Sequence, residues 1–403
     1  MKPYNIIQPE GASFTWRFRV GFNWREGITL HDIHFMGRST VYQLSLLEMF
    51  VPYGDPRGPI YRKGAFDLRN VGAGVTANNL QLGCDCLGTI KYISGHVVAA
   101  DGTPAPRPNA ICIHEIDNGI QWKHTNHRTG KATVMRKRQL VLQQIITVAN
   151  YEYIFAWIFD QSGEISFETL ATGILSTQPI DKESNVPWGT RVADGVMAPY
   201  HQHLFNVHID PAIDGHKNSF VYPDSVQMPW DEKLNTLGTG YVNSLYDDRV
   251  FKIANPGVEN PVSRTPVGYK LPGSWHWRRS ELAESPMWVT KYKDRQLFPA
   301  GDYTNQSIGG HGIKSWVKDR DCVVGDDIVI WHTFGFTRNP RVVDFPVMPA
   351  EIAQFHLKPY NFCQYNPTND VPQSNQATNG ESETGSKSNG EIGANGASCC
   401  SKD

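Results

Sequence analysis

An all-β fold, built as one large antiparallel β-sandwich with a disordered C-terminal tail, is the architecture this sequence predicts, and three observations predict it. Along 151–160, Tyr151, Tyr153, Phe155, Trp157 and Phe159 alternate with Glu152, Ile154, Ala156, Ile158 and Asp160. That is a period of two with bulky groups on both faces, as expected of a strand buried between layers. The 403 residues also carry 36 Gly, 26 Pro and 11% aromatics but no sustained 3.6-residue periodicity, a balance that favours short strands and turns over long helices. Finally, residues 366–403 contain no aromatic residue and are dominated by Asn, Ser, Gly, Thr and Glu. Such a segment cannot bury enough apolar surface to offset its ordering entropy.

The elements follow in chain order. The opening MKPYNIIQPEG lacks an apolar core and does not read as a secretory signal. Strands are predicted at Gln139–Val148 and Tyr151–Asp160, with Gln161-Ser162-Gly163 as a turn and Glu164–Leu170 as the return strand of a hairpin. Two further runs, His201–Asp210 and Asp327–Phe334, have the same character. Neither an internal repeat nor a Pro/Ser-rich linker divides Met1–Tyr365, so residues 1–365 are expected to form one domain and 366–403 the tail. Cys399 and Cys400 lie in that tail; its ending, Cys-Ser-Lys-Asp, is a poor prenylation signal and no peroxisomal address, so an unmodified end is expected.

Charge excludes some function classes. Lys and Arg total 38 against 40 Asp and Glu, a net charge of -2, so nothing steers the chain toward nucleic acid or an anionic membrane. No apolar run approaches the ~18 residues that a spanning helix needs.

Three features could carry chemistry. His201 and His203 are two apart on a predicted strand, so both imidazoles project from one face and can reach one point. Imidazole suits copper, zinc, iron or nickel, but two ligands are too few for a stable site, and a plain polar face is the alternative. The second feature is Asn150-Tyr151-Glu152, where core packing is the default for Tyr151. The third is Asp67 after Tyr61-Arg62-Lys63-Gly64-Ala65-Phe66. An aspartate there is usually a cap or a surface group, whereas a buried one near an electrophile can act as a general base.

In combination and order these features resemble the catalytic domain of copper-containing amine oxidases. The matching stretches include Gln8-Pro9-Glu10-Gly11, Trp16–Asn23, Val51–Pro56, Leu82–Gly88, Trp122–Thr125, Asn150-Tyr151-Glu152, His201-Gln202-His203, Asp302–Ser307 and Pro346–Pro349. The resemblance implies a primary-amine oxidase that converts amines to aldehyde, ammonia and hydrogen peroxide with dioxygen. Its cofactors would be a copper ion and topaquinone formed from Tyr151, which would condense with the amine as a Schiff base. By the same resemblance Asp67 is the catalytic base, Tyr53 hydrogen-bonds the quinone, Asn150 flanks it, and Ala65 stands at the channel gate. His201 and His203 are copper ligands, Asp210 and Asp327 belong to a peripheral calcium site, and Cys86 and Cys112 form a disulfide. A homodimer is implied, and a cytoplasmic or peroxisomal location is expected.

The chain departs from the family pattern at the third copper ligand. The expected Phe-Gly-x-Thr-His-x-Pro-Arg reads Phe334-Gly335-Phe336-Thr337-Arg338-Asn339-Pro340-Arg341, which places Arg338 at the ligand position. A guanidinium has no available lone pair and stays charged. His332, six residues upstream, is expected about 20 Å away on a regular strand. Val343 stands where a Glu is usual, and the family's smaller N-terminal domains are missing from the sequence. These departures support two other readings: a catalytically silent homologue or fragment, and a protein holding zinc or another metal on two histidines.

Overall fold

The computed structural model describes residues 4–5, 15–58, 60, 67–182, 184, 186–221, 251–259, 266–271, 281–302, 310–338 and 340–371. Strands β1 (Tyr4–Asn5), β2 (Trp16–Asn23), β3 (Gly27–Phe35) and β4 (Arg38–Phe50) open one sheet. A second sheet then grows from β5 (Lys91–Val98), β6 (Pro104–Thr125), β7 (Ala132–Val148), β8 (Tyr151–Asp160) and β9 (Ile165–Ile174). Next comes a small sheet of β10 (Gln178–Pro179), β11 (Gly189–Ala193) and β12 (Val196–Pro199). The chain returns to the first sheet at β13 (His201–Pro211) and then adds β14 (Ser219–Val221), β15 (Phe251–Glu259) and β16 (Pro266–Leu271) to the edge of the second. Strands β17 (Met287–Lys291) and β18 (Ile328–Arg338) complete the first sheet, and β19 (Val347–Tyr360) enters the second.

Among the described residues the first sheet has the order β1-β2-β3-β4-β13-β18-β17 and the second β14-β15-β16-β19-β9-β8-β7-β6-β5. Their strand pairs are antiparallel, as the alternating sequence predicts. The two sheets face each other through aromatic side chains. Phe155 of β8 meets Phe205 of β13 edge-on at 6.3 Å, and Phe167 of β9 meets Phe334 of β18 at 6.1 Å. Trp157, Phe167, Phe205, Phe334 and Phe355 are all buried in this core. Burying each contributes about 1.5–3 kcal/mol, and the stepwise match of every second residue on β8 with every second residue on β13 fixes the register of the layers.

The hairpin expected at 151–170 is present, with β8 at the predicted bounds and β9 running on to Ile174. Two features go beyond what the alternation predicts. One is the small sheet; the other is the length of β6, a strand rich in polar and partly exposed residues whose pairing with β7 shifts register between Asp117 and Trp122. Bulged, polar strands lack the clean alternation that betrays a strand in sequence.

The ordered chain also continues past Tyr365. Asn366 caps a short 3₁₀ turn, Pro367–Asp370, by accepting a hydrogen bond from the Thr368 amide at 3.0 Å. Thr368 is buried, and its hydroxyl accepts from the Trp122 indole at 2.9 Å, tying this turn to β6. Residues 372–403, with Cys399 and Cys400, lie outside the described residues, as do Ala65 and most of the stretch before Asp67. No described helix is long and apolar enough to cross a membrane.

Candidate active site

The site lies at one end of the inter-sheet core, where β8 and β13 both begin. Tyr151 is the first residue of β8 and His201 the first of β13, and their side chains meet: Tyr151 Oη lies 3.2 Å from His201 Nε2. Two residues along each strand the pairing repeats, with Tyr153 Oη 3.1 Å from His203 Nδ1. The repeat follows from the two-residue pleat of both strands, which keeps the two tyrosines on one inward face and the two imidazoles on the other. All four side chains are buried. Burial pushes both phenols above the usual tyrosine range, and burial, then His201 and then Arg338 hold His203 neutral.

Backbone constraints fix Tyr151. Ala149 takes a left-handed conformation (φ 54) at the turn into β8. Opposite Tyr151 on β9 stands Gly173 (φ 103), where a Cβ would lie 3.0 Å from Tyr151 Cα and press on the Asn150 carbonyl. Glycine is required there both by its dihedral and by the close approach. The Asn150 carbonyl accepts from the Ile174 amide at 2.7 Å, locking the turn.

Tyr53 reaches the same place from the segment after β4. It bridges to His201 through the backbone, its ring stacks on the His201 ring at 5.0 Å, and its hydroxyl bonds both the Tyr151 hydroxyl and, at 3.4 Å, Ser176 Oγ. The Ser176 amide makes a long donation to Tyr151 Oη at 3.5 Å. Asp67 opens a single helical turn, Asp67–Asn70, and is half-buried. Its charge acts on both Tyr53 and Tyr153. A cavity of about 270 Å³, lined by Tyr53, Ile60, Asn150, Leu175, Ser176 and Pro199, leads up to this cluster.

Arg338, the last residue of β18, stands directly across from His201 in the antiparallel register. It is 1% exposed, and its charge acts on Tyr151, Tyr153 and His203. Arg338 Nη1 donates to Glu351 Oε2 of β19 at 2.6 Å, and Nη2 lies 3.5 Å from Asp344 Oδ1. His332 is six positions back, opposite Val207, stacked on Phe334 with Nδ1 3.1 Å from the Pro286 carbonyl. It is far from the His201–His203 pair, as its spacing predicts.

Comparison with known proteins decides what this arrangement is. The family model described as "Copper amine oxidase, enzyme domain" matches residues 12–378. The chain belongs to the copper amine oxidase family. It is 48% identical over 408 residues to copper amine oxidase 1 of Aspergillus niger, covering 92% of this chain and 61% of that protein. It is 38% identical over 431 residues to the peroxisomal primary amine oxidase of Pichia angusta, covering 94% and 62%. Its fold is similar to the crystal structure of a copper-containing benzylamine oxidase from Hansenula polymorpha, with a TM-score of 0.85, 45% identity, and coverage of 93% and 65%. The chain thus spans about three-fifths of the length of these curated relatives. These relatives are named as oxidases, and none of these findings supports the reading of a silent homologue.

Membership in the copper amine oxidase family implies copper and topaquinone, and the fit of the metal can be judged residue by residue. Two residues fit. The Pro199 carbonyl, 2.9 Å from His201 Nδ1, orients Nε2 toward the site, and His203 Nε2 is a buried nitrogen with no hydrogen-bond partner. The third position does not fit, because Arg338 offers no lone pair.

At the peripheral pair, Asp210, Asp327 and His216 bring their ligand atoms within 4.8 Å of one another. Asp210 Oδ1 and Asp327 Oδ1 have no hydrogen-bond partner, His216 Nδ1 lies 3.7 Å from the latter, and burial followed by the Asp327 charge pushes Asp210 up to about 7. The implied disulfide is not formed: Cys86 and Cys112 are free, buried thiols side by side. Burial raises both thiols and Cys112 Sγ is engaged with His114 Nδ1 at 3.2 Å, so the unreactive protonated form is favoured.

Sequence reasoning missed Tyr153, Ser176, Glu351 and Asp344. Tyr153 was findable, because it repeats in the tyrosine strand the two-residue step of the histidine pair. Ser176 and the two acids carry no local signal.

Proposed function

We propose that this chain oxidises primary amines to aldehydes with dioxygen, releasing ammonia and hydrogen peroxide, with a copper ion and a quinone made from Tyr151. One observation carries this reading: the Tyr151 hydroxyl is held between His201 Nε2 and the Ser176 amide, and its neighbours Tyr53, Asn150 and Ser176 line a cavity of about 270 Å³. Copper held by His201 and His203 would supply, with dioxygen, the chemistry for oxidising Tyr151, and a quinone there would supply the electron sink that ordinary side chains lack. The residues do the rest. The cavity seats the amine beside Asn150 and Tyr53, and the Asp67 carboxylate takes the proton from the amine-bearing carbon. Tyr53 donates a hydrogen bond to the oxygen of residue 151, holding that ring in one orientation. The aromatic wall of the core excludes bulk water from this proton transfer.

His201 and His203 would hold the copper. Asp210 and Asp327 would hold calcium, a hard cation that suits paired carboxylates, and we extend the proposal to a homodimer and to a cytoplasmic or peroxisomal home. The peroxisomal name of the Pichia angusta relative supports the compartment. The Hansenula polymorpha relative is a benzylamine oxidase, which makes benzylamine the first substrate to try. The test is hydrogen peroxide release from copper-loaded protein given benzylamine in air, with Tyr151→Phe as control. Peroxide that the control does not produce supports the reading. No peroxide from either the native chain or Arg338→His would reject it.

A further inference from the structure

Arg338 does more than lack a lone pair; it brings a positive charge to the position that faces His201. It sits on the last residue of β18 in direct register with His201, it is 1% exposed, and its Nε and Nη2 have no hydrogen-bond partner. One face of this guanidinium is turned to carboxylates. Glu351 comes from β19 of the opposite sheet at 2.6 Å, and Asp344 lies at 3.5 Å. Asp344 is already shared, since Arg341 Nη2 binds the same Oδ1 at 2.9 Å. Glu351 makes the closer contact to Arg338 through a side chain that is 40% exposed, while Asp344, 2% exposed, divides its charge between Arg338 and Arg341.

We propose that Arg338 and copper contend for one position, and that the Glu351–Asp344 carboxylates set the outcome by holding the guanidinium on their side of the site. Metal loading in this chain is then an electrostatic competition between a divalent cation on His201 and His203 and a resident monovalent one. The inference rests on the copper reading of the two histidines, but it concerns binding and not turnover. Two positive charges a few ångströms apart in a partly buried site repel strongly enough to weaken binding on the order of 100-fold or more. Removing the charge must therefore tighten copper even when no donor replaces it.

The experiment is equilibrium dialysis of the full chain against copper(II), with metal analysis and electron paramagnetic resonance of the bound ion. Arg338→Leu removes the charge and adds no donor, Arg338→His removes the charge and adds an imidazole, and Glu351→Gln removes the nearer of the two carboxylates that hold Arg338. The expected order of affinity is Glu351→Gln weakest, then the native chain, then Arg338→Leu at least tenfold tighter, then Arg338→His tightest. Only Arg338→His is expected to add nitrogen hyperfine structure. Arg338→Gln serves as a second neutral variant, and circular dichroism confirms that each variant is folded. If neither neutral variant binds copper more tightly than the native chain, the competition is overturned and the position matters only as a lost ligand. A chain in which both neutral variants gain copper but no variant oxidises amine supports the competition and rejects the proposed oxidation, so the two failures are distinguishable.

Discussion

Gly173 is the residue at which the structure makes its most quantitative demand. It pairs with Tyr151 across β8 and β9, at φ 103, and a Cβ there would lie 2.9 Å from the Glu152 amide nitrogen and 3.0 Å from Tyr151 Cα. Both are backbone atoms in a paired strand and cannot rotate away. Gly173→Ala therefore incurs two costs: about 1–2 kcal/mol for a side chain in the left-handed region, and about 1–3 kcal/mol for forced overpacking. Two other glycines separate these contributions. Gly37 has φ 81 but nothing within 4 Å of its Cβ position, so Gly37→Ala carries the dihedral cost alone. Gly335, beside His203 on the neighbouring strand, is not in the left-handed region, but its Cβ would strike the His203 carbonyl and lie 3.0 Å from Leu204 Cα. Gly335→Ala thus carries the packing cost alone. Urea unfolding of the three variants beside the native chain should rank Gly173→Ala as the most damaging, at about 2–5 kcal/mol by these sums. A Gly173→Ala variant no less stable than Gly37→Ala would refute the tight seating of Tyr151 against β9.

Other outcomes follow from the same geometry. Asp67→Asn should cut amine turnover about 100-fold or more while leaving copper binding unchanged, a split readable from steady-state rates and dialysis; equal loss of both would show that Asp67 acts on structure. Asp210 is raised in the folded state to about 7, so the folded chain binds more protons than the unfolded one between the ordinary aspartate range and pH 7. Metal-free stability should therefore fall as pH rises through that window, and added calcium should raise the melting temperature more at pH 8 than at pH 6. A calcium effect independent of pH would count against the Asp210–Asp327 site. Cys86 and Cys112 should resist a thiol reagent in the native, reduced protein and react once it unfolds, whereas rapid native labelling at both would contradict their burial.

The sequence and the structure agree where a single strand carries the information. The alternation at 151–160 locates β8 to the residue, and the His201-Gln202-His203 step correctly puts two imidazoles on one face. Arg338 is legible as a departure from the family pattern, and the register confirms that it faces His201. What stays hidden depends on the meeting of distant segments. Ser176 approaches Tyr151 only because β9 turns back beside the start of β8, and Glu351 reaches Arg338 across the two sheets. The cysteine pair implied by resemblance does come together, as two free thiols side by side, and adjacency in space does not decide their oxidation state. The C-terminal limit expected from the last aromatic falls short, because the closing turn is held by a threonine hydroxyl and an asparagine cap.

Whether Tyr151 becomes a quinone in a copper site limited by Arg338 is the central question. The most direct measurement is peptide mass spectrometry of the strand containing Tyr151, after aerobic copper loading and phenylhydrazine treatment, in the native chain and in Arg338→His. A hydrazine adduct on Tyr151 is expected in both, with much the higher yield in Arg338→His. An unmodified Tyr151 in a copper-loaded Arg338→His protein would contradict the proposed chemistry.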